Sequence, residues 1–263
     1  MKLIQVSNLS KKFRTFCGDV QALSDVSLVI PEGSCTVIGG ENGSGKSVLV
    51  SILAGLESAD SGEVRFEFEG TGRSGRDGVC RKSGKFDASQ NPVGLVFQEA
   101  ETQILGETPR EDIAFGLKNL GMKKGEIENA VSEALEKTGL TQKADFPARF
   151  LSGGEKRRLA VACMVAMGKP VIILDEPYAN LDFTGVKQVN ALVRALKNEG
   201  KTVVILTHEI EKCLALSDRF IVLFRGSKVY DGTPAEALSM PLEEWNIRNP
   251  IFAYKSLEDL VWE

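Results

Sequence analysis

The stretch Gly40-Glu41-Asn42-Gly43-Ser44-Gly45-Lys46-Ser47 constrains the fold more than any other part of this chain. It fits the spacing G-x-x-x-x-G-K-[ST], and its surroundings are as informative as its letters. A short apolar run, Cys35 to Ile38, leads into it. An amphipathic pattern follows, with Val48, Leu49, Ile52, Leu53 and Leu56 on one face of a helix predicted over Ser47–Leu56. Strand, glycine-rich turn and helix in that order make a cradle for phosphate. The glycines let the backbone curl with its N–H groups inward, and the helix turns its positive end toward the same anion. Lys46 supplies a mobile cation for β- and γ-phosphates, and the Ser47 hydroxyl can ligate Mg²⁺. A nucleoside triphosphate site over Gly40–Ser47 is therefore expected.

The rest of the pattern is α/β. Val171 to Leu174 and Val203 to Leu206 are continuous apolar runs of the kind buried on both faces of a parallel sheet, with an amphipathic helix from Val186 to Asn198 between them. Ile4 to Val6, Ala22 to Ile30, Gly62 to Phe68 and Gly94 to Gln98 read as further strands. Ile221 to Phe224 and Lys228 to Tyr230 read as a hairpin around Arg225-Gly226-Ser227. Helical periodicity dominates Ile113 to Leu120, Glu126 to Thr138 and Ser152 to Met167. Gly70 to Pro92, rich in Gly, Ser, Arg and Lys, reads as an exposed hairpin or loop, and Trp245 and Trp262 as anchors of a C-terminal tail.

Two of the buried runs end in chemistry. Val171-Ile172-Ile173-Leu174 runs into Asp175-Glu176, and desolvating paired carboxylates costs several kcal/mol without a counter-charge. Mg²⁺ on a triphosphate supplies one. Asp175 is then expected near the metal, and Glu176 at the water that attacks the γ-phosphorus. His208 is the single histidine and follows the run Val203–Thr207. Ligands of open α/β sheets collect at such strand ends, so His208 is expected to touch the γ-phosphate.

A second anion site is legible at Leu151-Ser152-Gly153-Gly154-Glu155. Ser152 and Glu155 form an S-x-x-E capping box, and two glycines leave the first-turn amides bare. Capping alone explains Ser152 and Glu155. It does not explain two glycines, each costing roughly 0.8–1 kcal/mol of helix propensity.

Taken together, GGENGSGKS, Gln98, LSGGE, VIILDEP, Ala179-Asn180-Leu181-Asp182 and His208 resemble the nucleotide-binding subunit of ABC transporters, in order and over nearly the whole chain. That resemblance implies an α/β P-loop NTPase fold: a RecA-like, mainly parallel sheet with an antiparallel β subdomain and an inserted helical lobe. It implies one cassette, with residues 1–98 and 169–232 as catalytic core, 99–168 as helical lobe and 233–263 as tail. Two cassettes would face head to tail, as a homodimer or a heterodimer, with ATP between one Lys46 loop and the partner's Ser152–Glu155 helix. Gln98 would touch Mg²⁺ and the attacking water and report nucleotide state to a transmembrane subunit; Asp182 would cross the interface; Phe13 would stack on adenine, unless Phe16 does. Residues Phe97 to Gln103 followed by Asp112-Ile113-Ala114-Phe115-Gly116 look like the ATPases of energy-coupling factor importers, which take up vitamins or transition-metal ions. Ala100, Asn180 and Phe183 depart from the family's usual residues.

Charge and cysteines narrow the alternatives. With 32 Lys+Arg against 36 Asp+Glu the formal charge is −4, which offers no general phosphate-backbone surface, and no nucleic acid partner is expected. Five cysteines without a C-x-x-C pair suggest reduced thiols rather than a disulfide or zinc framework. The longest apolar run, Leu159 to Met167, falls short of the roughly 20 residues a spanning helix needs. The family implies a peripheral place on the cytoplasmic face of the membrane. A conventional ABC transporter ATPase, a soluble ABC-type ATPase acting on DNA or ribosomes, a regulatory subunit and a P-loop kinase remain as rivals. The kinase leaves LSGGE without a role, and no long coiled coil separates the two anion motifs as a DNA-acting ATPase commonly requires.

Overall fold

The structure, a computed structural model, describes residues 3–16, 18–67, 78–80 and 91–251. The chain divides into two compact units, Met1–Phe86 with Val204–Glu263, and Asp87–Val203.

The first unit carries an antiparallel sheet in the order β2-β1-β4-β5, formed by β1 (Leu3–Thr15), β2 (Gly18–Pro31), β4 (Ser61–Glu67) and β5 (Gly78–Cys80). Alternation sets its register: Ile4 pairs with Ile30 and Val6 with Leu28, all buried. β1 runs far beyond the expected Ile4–Val6 because bulges between Val6 and Lys12 break its alternation without ending its pairing. Asn8 and Asp25 adopt positive φ there, and the Asn8 amide donates to Asp25 at 2.8 Å. Gly78–Cys80 is a strand inside the stretch read as an exposed hairpin or loop. Residues 70–77 and 81–90 of that stretch lie outside the described residues, as does Trp262.

A second layer of the same unit is built on β3 (Cys35–Gly39), every residue of which is buried. It lies parallel to β9 (Arg219–Phe224), which pairs antiparallel with β10 (Ser227–Gly232). On its other side lies β8 (Thr202–Thr207), whose last four residues belong to this unit. The Cys35 N–H donates to the Asp218 carboxylate at 2.8 Å, pinning the start of β3 to the start of β9. Helix α1 (Lys46–Leu53) follows β3. It stops three residues short of the expected Leu56, because Gly55 turns the chain at φ 73°. Leu56 therefore does not join the buried face and is 61% exposed. After the short helix α6 (Pro234–Ala237), the turn Leu242–Trp245 packs back. Leu242 and Ile247 are buried, and Trp245, Tyr230 and Phe220 form a row with ring centroids 6.3 and 6.1 Å apart. Trp245 thus anchors the chain's C-terminal part as expected.

In the second unit, β6 (Val93–Val96) runs parallel to β7 (Val171–Asp175). Four helices accompany them: α2 (Pro109–Asn119), α3 (Lys124–Lys137), α4 (Gly153–Ala166) and α5 (Phe183–Asn198). Ile113, Leu117, Val131, Leu135, Leu140 and Leu159 make the apolar centre that joins α2, α3 and α4. Local chemistry fixes the starts. Thr108 caps α2 with Pro109 in its first position, which moves the helix four residues ahead of its first apolar residue. Asp182 caps α5 by accepting from the Gly185 N–H at 2.7 Å, again earlier than periodicity alone indicates. Among the described residues no helix is long and apolar enough to cross a membrane.

Candidate functional site

The phosphate loop lies wholly in the first unit, between β3 and α1. A Cβ on Gly40 would stand 2.3 Å from the Leu223 carbonyl oxygen and 2.6 Å from Ser44 Oγ; one on Gly45 would stand 2.5 Å from the Ala22 carbonyl oxygen. Their φ values of 148° and 101° also suit only glycine. Ser44 is held by its N–H on the Glu41 carbonyl at 3.2 Å and by its own carbonyl, which accepts from Gly226 at 3.1 Å. Its buried Oγ has no hydrogen-bond partner among the described residues. Asn42, Gly43 and Ser47 face solvent, while Lys46 is 5% exposed. The Lys46 ammonium folds back and donates to the carbonyls of Gly40 at 2.7 Å and Glu41 at 3.0 Å.

Two other expected residues share this unit. His208 directly follows β8 and is exposed. Phe13 is half-buried on β1, with the Lys11 ammonium 5.1 Å from its ring centre, and Phe16 stands fully in solvent.

The second unit holds the remaining expected groups. Gln98 is exposed just beyond β6, on a turn clamped by Gln103, which accepts from the Phe97 N–H and donates to the Leu95 carbonyl, both at 2.9 Å. Arg157 of α4 reaches the same turn and donates Nη2 to the Gln98 carbonyl at 3.3 Å. Its Nε and Nη1 are buried without a partner among the described residues, and burial pushes its pKa down. Asp175 closes β7 half-buried. Glu176 is 7% exposed and takes φ 44°, a left-handed conformation that few side chains adopt without constraint. The Ala179 N–H donates to the Glu176 carbonyl at 3.2 Å, and the buried Tyr178 donates its hydroxyl to Asn190 at 2.8 Å. The turn after β7 is therefore fixed from both ends.

The capping box at the start of α4 is formed as expected. The Ser152 N–H donates to Glu155 at 2.9 Å, and the Glu155 N–H to Ser152 Oγ at 3.3 Å. Burial pushes the Glu155 carboxyl up, but the Lys143 ammonium 2.6 Å away and the Ser152 N–H outweigh it and hold the pKa below the usual value. The two glycines are unlike those of the phosphate loop. A Cβ on Gly153 would meet nothing within 4 Å, and one on Gly154 only Arg158 Nη1 at 3.9 Å. Neither has positive φ. Among the described residues nothing demands glycine at either place.

Loops of the Gly40–Ser47 build, set between a buried strand and a helix, define the P-loop class of nucleotide-binding proteins. Within that class, the family model described as ABC transporter matches residues 23–179, and the chain belongs to that family. Its members bind and hydrolyse ATP. The cobalt import ATP-binding protein CbiO of Rhodobacter capsulatus is 39% identical over 239 residues, covering 90% of this chain and 82% of that protein. The energy-coupling factor transporter ATP-binding protein EcfA1 of Mycoplasma mobile is 35% identical over 237 residues, with the same two coverages of 90% and 82%. The solved structure of cbiO1 from Clostridium perfringens, described as part of the ABC transporter complex cbiONQ, superposes with a TM-score of 0.74 at 29% identity, over 94% of this chain and 96% of that one.

Arg157, which donates to Gln98, and Asn246, which donates to Glu41, belong to no motif legible in the sequence, whereas Gln103 closes the Phe97–Gln103 stretch. Arg157 carries no periodic signal, because the helix that holds it is apolar on all sides from Leu159 onward and so has no distinct inner face in the sequence.

Proposed function

We propose that this chain is the ATP-hydrolysing subunit of an energy-coupling-factor-type importer for a vitamin or transition-metal ion, working as one of two paired cassettes at the cytoplasmic face of a membrane. The observation that carries the pairing is the pair Gly153 and Gly154. Their bare first turn costs helix stability yet relieves no clash in this chain, so the demand comes from something that docks on it. A partner cassette's nucleotide fits that demand, since a capped helix start with free amides attracts anions. The names of CbiO and EcfA1 support the importer class.

In this reading Gly40, Glu41, Asn42, Gly43, Ser44, Gly45, Lys46 and Ser47 hold the triphosphate, Phe13 lies against the base, and Ser152, Gly153, Gly154 and Glu155 meet the partner's γ-phosphate. Among the described residues no group of three or more His, Cys, Asp or Glu could hold a metal. That suits Mg²⁺, which takes most of its ligands from phosphate and water and few from protein. The hard oxygen donors of Ser47, Gln98 and Asp175 fit it. Bound with the nucleotide, Mg²⁺ neutralises phosphate charge. Glu176 orients and deprotonates the attacking water, His208 contacts the γ-phosphate, and Lys46 stabilises charge on the β- and γ-oxygens. Gln98 links the site to a transmembrane subunit, and residues 99–168 act as the lobe through which ATP-driven closure of the paired cassettes moves that subunit.

Purification of the tagged chain from its native membranes tests this reading. A polytopic partner should co-purify, and reconstituted vesicles should take up solute only with hydrolysable ATP. An active ATPase that brings down no membrane protein would sink the importer reading.

A further inference from the structure

The carboxylate of Glu41 sits inside the loop assigned to a triphosphate, one residue after Gly40. A negative side chain there works against anion binding unless it is held away. Asn246, 205 positions along the chain and in the same unit, donates its Nδ2 to Glu41 Oε2 at 2.7 Å. The donor is well anchored. Asn246 takes φ 57°, ψ 33° as the C-cap of the Leu242–Trp245 turn, and its N–H bonds the Glu243 carbonyl at 3.0 Å. Asparagine is among the few side chains that accept this left-handed conformation readily. Leu242 and Ile247 on either side are buried. Trp245 leads the aromatic row that ends at Phe220, whose ring would lie 2.8 Å from a Cβ on Gly39 at the foot of the loop. The C-terminal segment thus meets the phosphate loop at the Glu41 carboxylate, while the Glu41 main-chain carbonyl accepts from the Lys46 ammonium at 3.0 Å.

We propose that Asn246 is a positioning residue for nucleotide binding: it tethers the Glu41 carboxylate outward and so keeps its charge off the incoming phosphates. The inference rests on the assignment of Gly40–Ser47 as the triphosphate site. Its effect falls on nucleotide affinity rather than on the chemical step, because Asn246 acts on the entry of an anion and touches no reacting group.

Asn246→Gly tests the tether while keeping the left-handed turn. In the full chain with MgATP, KM should rise about three- to tenfold with kcat within about twofold, and the difference should shrink in high salt as the carboxylate is screened. Asn246→Asp sets two carboxylates against each other and should raise KM at least as far. In a Glu41→Gln background Asn246→Gly should shift KM by less than about twofold relative to Glu41→Gln alone. An unchanged KM in Asn246→Gly, or a shift that persists in the Glu41→Gln background, overturns the proposal. Lys46→Ala separates this from the site assignment: wild-type ATP affinity in that variant would count against the loop as the triphosphate site, whereas lost affinity together with an unmoved Asn246→Gly would count against the tether alone.

Discussion

At the scale of single residues, Glu176 combines two costs: it is nearly buried and its backbone is left-handed. Strain of that kind costs of order 1–3 kcal/mol and persists where the surroundings enforce it. Here the Ala179 N–H and the packed Tyr178 hold the turn. Glu176→Gln keeps the shape and removes the carboxylate proposed as the base. It should still bind ATP but hydrolyse it at least about a hundredfold slower, measured as phosphate release at saturating ATP. Unchanged turnover would refute Glu176 as the base. Such a residue is legible in a sequence because its neighbours are contiguous with it: an apolar strand ending in two acids announces itself. Asn246 and Arg157 are not legible in that way. Their partners, Glu41 and Gln98, lie 205 and 59 positions away, and no local periodicity reports a hydrogen bond between distant segments.

At the scale of elements, α4 opens on a turn that its own fold leaves suboptimal. Gly153→Ala adds a methyl into open space at helical φ, so it should raise stability by up to about 1 kcal/mol, read as an increase in denaturation midpoint. If the bare turn serves a partner's nucleotide, the same variant should lose ATPase activity. Gain in stability with full activity would remove the reason given for the glycines. Element types were readable from the sequence almost throughout, since α1 to α5 and the buried strands follow period and capping. The ends were less so. Thr108-Pro109 and Asp182 start helices several residues ahead of the first buried aliphatic residue, Ile113 and Val189, and the bulged β1 hides its length by breaking alternation at Ser7 and Asn8. Strand β5 falls in the stretch read as an exposed hairpin or loop; its bounds are not marked by composition, because Gly78–Cys80 is a strand by its pairing with β4.

At the scale of the whole molecule, the phosphate loop with His208 sits in one unit and Gln98, Asp175, Glu176 and the Ser152 helix in the other. A chain carrying both a triphosphate loop and an unmatched anion-binding helix start is expected to complete its site by pairing. ATPase rate per molecule should therefore fall as the protein is diluted below its dimerisation range, and Ser152→Arg should abolish the ATP-induced increase in mass while the monomer still binds nucleotide. A rate independent of concentration, in a preparation shown to be monomeric by light scattering, would exclude the paired mechanism.

The division of the chain also dictates an order of assembly during synthesis. The unit Asp87–Val203 is one uninterrupted stretch, whereas the other is split around it. Strand β3 emerges early but must wait for β9, since the Cys35 N–H finds its acceptor on Asp218 only 183 residues later. At roughly 5–20 residues per second on a ribosome, that apolar strand stays without its neighbour for about 10–40 s, while the helical unit downstream is finished first. The layer built on β3 thus closes only after the continuous unit Asp87–Val203 has emerged, and shielding of β3 in that interval falls to whatever meets the nascent chain.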